Sequence, residues 1–262
     1  MATTAAQPQS ARPLAAVILA AGRSKRMQSD LVKVLHPVCD RPMVEWVVQA
    51  CRAAGCGRII LVVGYQGDKV REALAGEDDV EFVNQAEPLG TGHAVMQAEA
   101  ALRGFDGDLL VLAGDGPLIR AETLRRLVSA HQRTGAAATL ATARIADPTG
   151  YGRIVRDAAG RFDRIVEEKD ATPEQRRLNE INPSYYCFDA RRLFASLHRL
   201  TNVNASGEYY LTDVCPILRG DGLRVEVIEA VSADEVHSIN TAEQLEFVSS
   251  ILAKRLAEGA VP

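Results

Sequence analysis

Leu14-Ala15-Ala16-Val17-Ile18-Leu19-Ala20-Ala21-Gly22-Arg23-Ser24-Lys25-Arg26-Met27 is the stretch whose reading decides the fold. Its first half, Leu14–Ala20, is a short continuous apolar run, which predicts a buried strand. The run stops at Ala21-Gly22 and passes into Arg23, Ser24, Lys25 and Arg26. Glycine allows a sharp turn, so that backbone N–H groups can face an anion. Arg26 offers a fork of donors that suits phosphate oxygens. Lys33 follows inside the apolar segment Leu31-Val32-Lys33-Val34-Leu35, where a cation is unusual and could neutralise a reacting phosphate. The loop fits neither G-x-x-x-x-G-K-[ST] nor G-x-G-x-x-G. A surface loop of solvated basic side chains is the other reading of the same residues.

The pattern repeats outward from that strand. Apolar runs at 58–63, 80–83, 108–112 and 137–143 read as further strands, and 43–54, 69–75, 92–102 and 122–133 read as helices. Strand and helix alternate, and most strands are apolar on both faces. This predicts an α/β protein with a mostly parallel central sheet covered by helices on both faces. Ligands of such sheets bind at the carboxyl ends of the strands, where Gly22 and Asp115 fall. Past residue 145 the character changes. Runs at 151–156 and 162–167 flank Asp157-Ala158-Ala159-Gly160 like a hairpin, and 180–188 is a strand-like run with adjacent tyrosines. A helix at 211–219, a strand at 224–230 and a helix at 241–256 complete the reading. We expect a disordered tail over 1–12 and one domain over 13–258. Its halves, about 13–145 and 146–258, should face each other across a cleft.

Bulk properties exclude several classes. The chain has 262 residues, 47% hydrophobic and 24% charged, with a net charge of −4. That balance argues against a nucleic-acid binder. No apolar run approaches the roughly 20 residues needed to span a bilayer, and the N-terminal stretch lacks the apolar segment of a signal peptide. The five cysteines form no C-x-x-C pair, which suggests free thiols in a reducing, cytoplasmic compartment. The five histidines are scattered and read as structural or exposed. Asp108 reads as lying on the solvent side of a strand start.

Leu19-Ala20-Ala21-Gly22, Arg26-Met27 and Lys33 together resemble the opening signature of the sugar-nucleotide pyrophosphorylases. A closer resemblance, from about Leu14 to Val248, is to the bacterial N-acetylglucosamine-1-phosphate uridyltransferases. It is carried by Gln85-Ala86-Glu87-Pro88-Leu89-Gly90-Thr91-Gly92, Gly114-Asp115-Gly116-Pro117-Leu118, the segment from Asp147 to Ile154, the segment from Ile165 to Thr172, Glu180-Ile181-Asn182 and the segment from Leu200 to Asp213. The resemblance implies a Rossmann-like nucleotidyltransferase fold with a smaller β-rich sugar-binding part. It also implies transfer of a uridylyl group from UTP to N-acetylglucosamine 1-phosphate, giving UDP-N-acetylglucosamine and pyrophosphate.

The same resemblance implies roles. Leu19, Ala20, Ala21 and Gly22 would hold the triphosphate, with Arg26 and Lys33 as the catalytic cations. Gln85, Gly90 and Thr91 would contact uracil, although Thr91 as an ordinary helix N-cap explains that segment equally. Gly152, Glu167 and Asn182 would line the sugar pocket, with Tyr210 and Thr212 near the sugar phosphate. Asp115 and Asn240 would hold Mg2+, which favours carboxylates, waters and substrate phosphates. The competing reading makes Asn240 an N-cap with Glu243, unless Thr241 is the cap. Glu167 reads alternatively as one acid in a solvated charge run.

Two departures from the family pattern stand out. Val32 replaces a common proline, and Pro183-Ser184 follows Asn182 where Thr-Gly is usual. Pro restricts the residue before it, so the sugar pocket could differ in shape. Full-length family members usually continue into a C-terminal acetyltransferase domain that builds trimers. From the end at Pro262 we expect a monomer without acetyltransferase activity. Two rivals remain: a related transferase with another base or sugar, and a non-catalytic sugar-nucleotide sensor.

Overall fold

The computed structural model describes residues 12–22, Met27 and 29–259. Residues 1–11 of the tail expected over 1–12, and the loop arginine Arg26, lie outside the described residues. In chain order the elements are β1 (Leu14–Ala20), β2 (Pro37–Val38), β3 (Arg41–Pro42), α1 (Met43–Ala53), β4 (Arg58–Val63), α2 (Gly67–Ala73), β5 (Val80–Asn84), α3 (Thr91–Met96), β6 (Asp108–Ala113), α4 (Ala121–Thr134) and β7 (Ala138–Arg144). There follow β8 (Gly152–Arg156), β9 (Phe162–Val166), α5 (Pro173–Arg176), β10 (Glu180–Asp189), α6 (Ala190–Leu197), α7 (Val214–Gly220), β11 (Val225–Glu229) and α8 (Ala242–Ala257).

One sheet runs through both halves of the chain, in the order β11-β7-β10-β6-β1-β4-β5. β1 pairs parallel with β4 and β6, β4 with β5, and β7 with β11. The apolar strands are explained by two cores, one on each face. In β1, Ala16, Ile18 and Ala20 enter one core while Ala15 and Val17 enter the other. β4 and β6 divide their apolar side chains in the same way, so the apolar runs of these strands leave no solvent-facing position. Helices α1, α4 and α8 cover the first face, and α3, α6 and α7 the second.

The strand expected over 180–188 takes an unforeseen place. β10 is antiparallel and lies between β6 and β7, with Tyr185 opposite Leu112 on one side and Ala141 on the other. A strand from the second half therefore sits in the middle of the sheet. The start of β10 also pairs with β8, which pairs with β9, so the small hairpin grows off this same strand.

Three local expectations are corrected. The helix expected over 92–102 ends at Met96. Beyond it the N–H groups of Gln97, Ala98 and Glu99 reach back three residues, to Ala94, Val95 and Met96, so the backbone tightens while Ala98 and Leu102 remain buried. Asp108, read as solvent-facing, is fully buried. It accepts a hydrogen bond from Gln132 Nε2 (2.8 Å) and lies 3.4 Å from Arg12 Nη1. Arg12, assigned to the tail, is in fact anchored, because it also pairs with Asp189 at 3.0 Å. Helix α6 was not foreseen; Asp189 caps it by accepting from Arg192 N at 3.0 Å. No helix of the described residues is long and apolar enough to cross a membrane.

Segment 231–240 returns to the sheet through buried polar contacts. The Tyr185 hydroxyl donates to the carbonyl of Glu235 (3.0 Å), the Tyr151 hydroxyl to that of Val236 (3.0 Å), and Ile239 N to the carbonyl of Asp115 (3.0 Å). The buried Glu235 carboxylate accepts from Arg120 N (3.1 Å) and from the Ser232 hydroxyl (2.9 Å). Tyr185→Phe is nearly isosteric and leaves one buried carbonyl without its donor. We expect it to cost about 1–3 kcal/mol, read as a lowered urea midpoint with an unchanged m-value.

Candidate active site

A cleft of about 640 Å3 opens at the carboxyl ends of β1 and β6. Leu19, Ala20, Ala21 and Gly22 form one stretch of its lining. The end of β4 presses against them: a Cβ on Gly64 would meet the carbonyl oxygen of Ala21 at 2.8 Å, so only glycine permits this approach. Lys33 begins a 3-10 turn whose next two side chains, Val34 and Leu35, are buried. This anchoring explains a lysine in an apolar segment. Its ammonium donates to Asp115 Oδ2 and to Asn240 Oδ1, the latter at 2.8 Å.

Asn240 arrives there because a different residue caps the last helix. The Thr241 hydroxyl accepts from Gln244 N (3.3 Å), and Gln244 Oε1 accepts from Asn240 N (2.7 Å). Thr241 and Gln244 thus make the reciprocal cap, and the Asn240 amide turns toward Lys33. The alternative in which Asn240 caps with Glu243 is not what forms.

On the opposite side stands Gln85, held at the end of β5 by its N–H to the Val63 carbonyl (2.7 Å). Its amide nitrogen lies 3.2 Å from the Gly90 carbonyl and 3.0 Å from His93 Nδ1. Gly90 has φ +116°, and a Cβ there would meet Tyr209 O at 2.6 Å. A Cβ on Gly92 would meet Leu200 at 2.5 Å. The glycines expected to make room for a ring are needed first by the chain's own backbone. Thr91 is not the cap. It is the first helical residue, and its hydroxyl accepts from Leu211 N at 3.0 Å. With Tyr209 N to Leu89 O (2.8 Å) and Gly92 N to Tyr209 O (2.8 Å), these bonds stitch 89–92 to 209–211.

The charge run from Glu167 to Asp170 is not a uniform solvated face: Lys169 and Asp170 are exposed, while Glu167 and Glu168 are half-buried. Each member has its own partner. Glu168 pairs with the buried Arg153 guanidinium (2.7 Å), the Lys169 ammonium donates to Ser206 (3.1 Å), and Asp170 accepts from Ala205 N (2.9 Å). Glu167 alone enters the cleft, where it accepts from the Thr212 hydroxyl at 3.0 Å. Burial raises the Glu167 carboxyl above the ordinary range, the Thr212 hydrogen bond opposes this, and the charges of Asp213, Asp170 and Glu208 add to it. Asn204 shapes the neighbouring loop by accepting from Ser206 N (3.1 Å) and Glu208 N (3.2 Å), which delivers Glu208, Tyr210 and Thr212 to the lining.

Most of the expected residues meet here. Leu19 to Gly22, Lys33, Gln85, Gly90, Thr91, Asp115, Glu167, Tyr210 and Thr212 line the one cleft, and Asn240 reaches it through Lys33. Two do not line it. A Cβ on Gly152 would meet Ile165 Cγ2 at 2.9 Å and Glu167 Oε2 at 3.4 Å, so this glycine makes room for Glu167. Asn182 is 4% exposed and spends its amide on the Tyr186 hydroxyl, donating at 2.6 Å. The reading of the sequence missed Ser184, Tyr186 and Glu208, all of which line the cleft. Ser184 lay in the Pro183-Ser184 departure, Tyr186 in the strand-like run 180–188 and Glu208 in the segment from Leu200 to Asp213, but none was assigned a role. Among the described residues no group of three or more His, Cys, Asp or Glu side chains could hold a metal; Asp115 and Asn240 supply one carboxylate and one amide oxygen.

A cleft at the carboxyl ends of the strands is where an open α/β sheet binds its ligands. The chain belongs to the MobA-like NTP transferase domain family, whose sequence model matches residues 16–210. It is 53% identical over 232 residues to the Bifunctional protein GlmU of Geobacter metallireducens, covering 88% of this chain and 49% of that one. It is 49% identical to the Geobacter sulfurreducens GlmU over 94% of this chain and 52% of the relative. It is 48% identical to the Limosilactobacillus fermentum GlmU over 92% and 52%. The chain thus spans about half the length of the curated relatives it matches. A solved UDP-glucose pyrophosphorylase complexed with UDP-glucose superposes with a TM-score of 0.75 at 18% identity, over 93% of this chain and 99% of that one; this likeness is one of fold.

The raised Glu167 has a consequence for stability. The native state holds that proton more tightly than the unfolded chain, so stability falls as pH rises from the unfolded value through the raised folded one. Below the unfolded value both states are protonated and the penalty is gone. Glu167→Gln keeps an acceptor for Thr212. It should melt higher than the wild type near about pH 7.5, with the gap closing below about pH 4, as scanning calorimetry across pH would show.

Proposed function

We propose that the chain is a sugar-1-phosphate uridyltransferase that joins UTP and N-acetylglucosamine 1-phosphate into UDP-N-acetylglucosamine, releasing pyrophosphate. The observation that carries this reading is the meeting of Lys33, Asp115 and Asn240 in one cleft with Gln85, Thr91, Glu167 and Thr212. The cleft offers the Lys33–Asp115 pair together with the polar side chains of Gln85, Thr91, Glu167 and Thr212. Free cysteines suit a cytoplasmic setting.

In the reaction a phosphate oxygen of the sugar phosphate attacks the α-phosphorus of UTP in line. The bond from that phosphorus to the bridging oxygen breaks, and the electron pair leaves with pyrophosphate. A phosphomonoester has its second pKa near about 6, so the nucleophile is ionised already and needs no base. Catalysis then rests on placement and on charge. The turn from Leu19 to Gly22 places the triphosphate, and Lys33 neutralises charge at the α-phosphate. Gln85 and Thr91 hold the uracil edge, and Glu167 fixes sugar hydroxyls.

Asp115 and Asn240 fit a magnesium ion, because their two oxygens already converge on a cation, the Lys33 ammonium. Bound there, Mg2+ would neutralise phosphate charge as a hard, oxygen-seeking cation. Lys33 and the metal would claim the same two oxygens. Lys33→Met should therefore bind Mn2+ more tightly than the wild type in the absence of nucleotide, by about tenfold or more, as electron paramagnetic resonance titration can measure. Equal affinity would show that the two do not compete.

The activity itself is tested by pyrophosphate release from UTP, dTTP, CTP and GTP against N-acetylglucosamine, glucosamine, N-acetylgalactosamine and glucose 1-phosphates. Release is expected with UTP and N-acetylglucosamine 1-phosphate, and Asp115→Ala should lower it by about a hundredfold or more. Activity with another pair would keep the chemistry and change the substrate. Silence throughout would favour a sensor.

A further inference from the structure

β10 is held on both edges, yet its register slips. Ile181 faces Ala143 of β7, and Tyr185 faces Ala141. Three residues, Asn182, Pro183 and Ser184, therefore stand where the partner strand offers only Thr142. Pro183 suits such a bulge because its nitrogen has no hydrogen to place in a ladder. Ser184 carries the turn at φ +66°, a left-handed conformation that a residue with a Cβ adopts at a cost.

The bulge is braced from inside. Asn182 Oδ1 accepts from Ser184 N at 3.3 Å, and Asn182 Nδ2 donates to the Tyr186 hydroxyl at 2.6 Å. The Ser184 side chain stands beside that same hydroxyl. Tyr186 is stacked on Phe188, with ring centroids 5.6 Å apart. Asn182 is thus used up within the protein, while Ser184 and Tyr186 line the cleft on the side of Glu167 and Thr212. A strained backbone that is over-determined by its neighbours and faces a ligand cavity points to function.

We infer that Ser184 is a specificity-determining residue for the sugar, and that Asn182 is a positioning residue that acts through Tyr186 and the Ser184 backbone. This rests on the uridyltransferase reading of the cleft. The wall that reads the sugar then presents hydroxyls and a carboxylate, with the amide one layer behind.

The test is calorimetric binding of UDP, UDP-glucose and UDP-N-acetylglucosamine to the wild type, Ser184→Gly, Asn182→Ala, the double variant and Tyr186→Phe. Ser184→Gly should melt a few degrees higher, since glycine takes the left-handed turn without strain. It should bind UDP as the wild type does, yet shift the ratio of the two UDP-sugar affinities by about fivefold, the weight of one hydrogen bond. Asn182→Ala should shift that ratio in the same direction, and adding it to Ser184→Gly should change the ratio no further. Tyr186→Phe should weaken both UDP-sugars and leave UDP alone. An unchanged ratio in Ser184→Gly overturns the inference, as do additive effects of the two single variants, or wild-type affinities for the UDP-sugars no tighter than for UDP. If the wild type binds none of the three ligands, the uridyltransferase reading falls, and the inference falls with it.

Discussion

The placement of β10 between β6 and β7 is the constraint on which both walls of the cleft depend. Hydrogen bonds on two edges fix its register, with Tyr185 opposite Leu112 and Tyr186 opposite Val111. Successive side chains of a strand point to opposite faces. Tyr185 therefore enters one core and holds segment 231–240 through the Glu235 carbonyl, which ends in Asn240 beside Lys33. Tyr186 enters the other core and holds Asn182 behind the wall formed with Glu167. A slip of one residue would exchange these roles. The side carrying Lys33 and Asn240 and the side carrying Glu167 are thus positioned by two neighbouring residues of one strand, and the cleft is not a seam between independent halves.

Charge explains why such a site calls for more than its own side chains. The described lining carries three carboxylates, Asp115, Glu167 and Glu208, against one cation, Lys33. Lys33 is already engaged with Asp115. Phosphate groups entering this cleft need further positive charge, and burial makes that need sharper because local fields are less screened. Under the proposed function, Asp115 and Asn240 would hold a divalent cation that supplies it. The basic residues after Gly22 in the sequence are the other source of charge that the chain itself supplies.

The parts of the fold legible in the sequence are those where burial alone decides. β1, β4 and β6 read correctly because both faces are covered, so an uninterrupted apolar run is the whole signal. That the Leu19–Gly22 turn, Lys33, Asp115 and Asn240 belong to one site was implied by the resemblance of their segments to the pyrophosphorylase family, and the structure brings them together. Other features rest on contacts distant in sequence. The 92–102 run is apolar at helical spacing because Val95, Ala98 and Leu102 are buried, but burial does not dictate which carbonyl each N–H reaches, and the helix stops at Met96. Thr91 has the composition of a cap and serves instead a backbone N–H 120 residues away. Asp108 looks exposed at a strand start until Arg12 and Gln132 close over it. Ser184 and Tyr186 carry no motif, and their place follows from a bulge that only strand pairing defines.

The chemistry also follows from what the cleft holds in place. None of the five histidines is among its described lining residues. His93 lies against Gln85, His131 sits 3.0 Å from Thr139, His198 pairs with Glu99 and His237 packs on Phe247. These four are held by structural partners, and His36, whose Nε2 is buried without a hydrogen-bond partner, also stands outside the described lining. Glu167, the carboxyl that burial raises, is hydrogen-bonded to Thr212. A reaction that needed a general base would find this arrangement poor. Attack by an already ionised phosphate on another phosphate needs no such group, and its barrier is set by repulsion between anions. Cations held rigidly between them are the remedy, and under the proposed function Lys33, gripped by Asp115 and Asn240, would act as one.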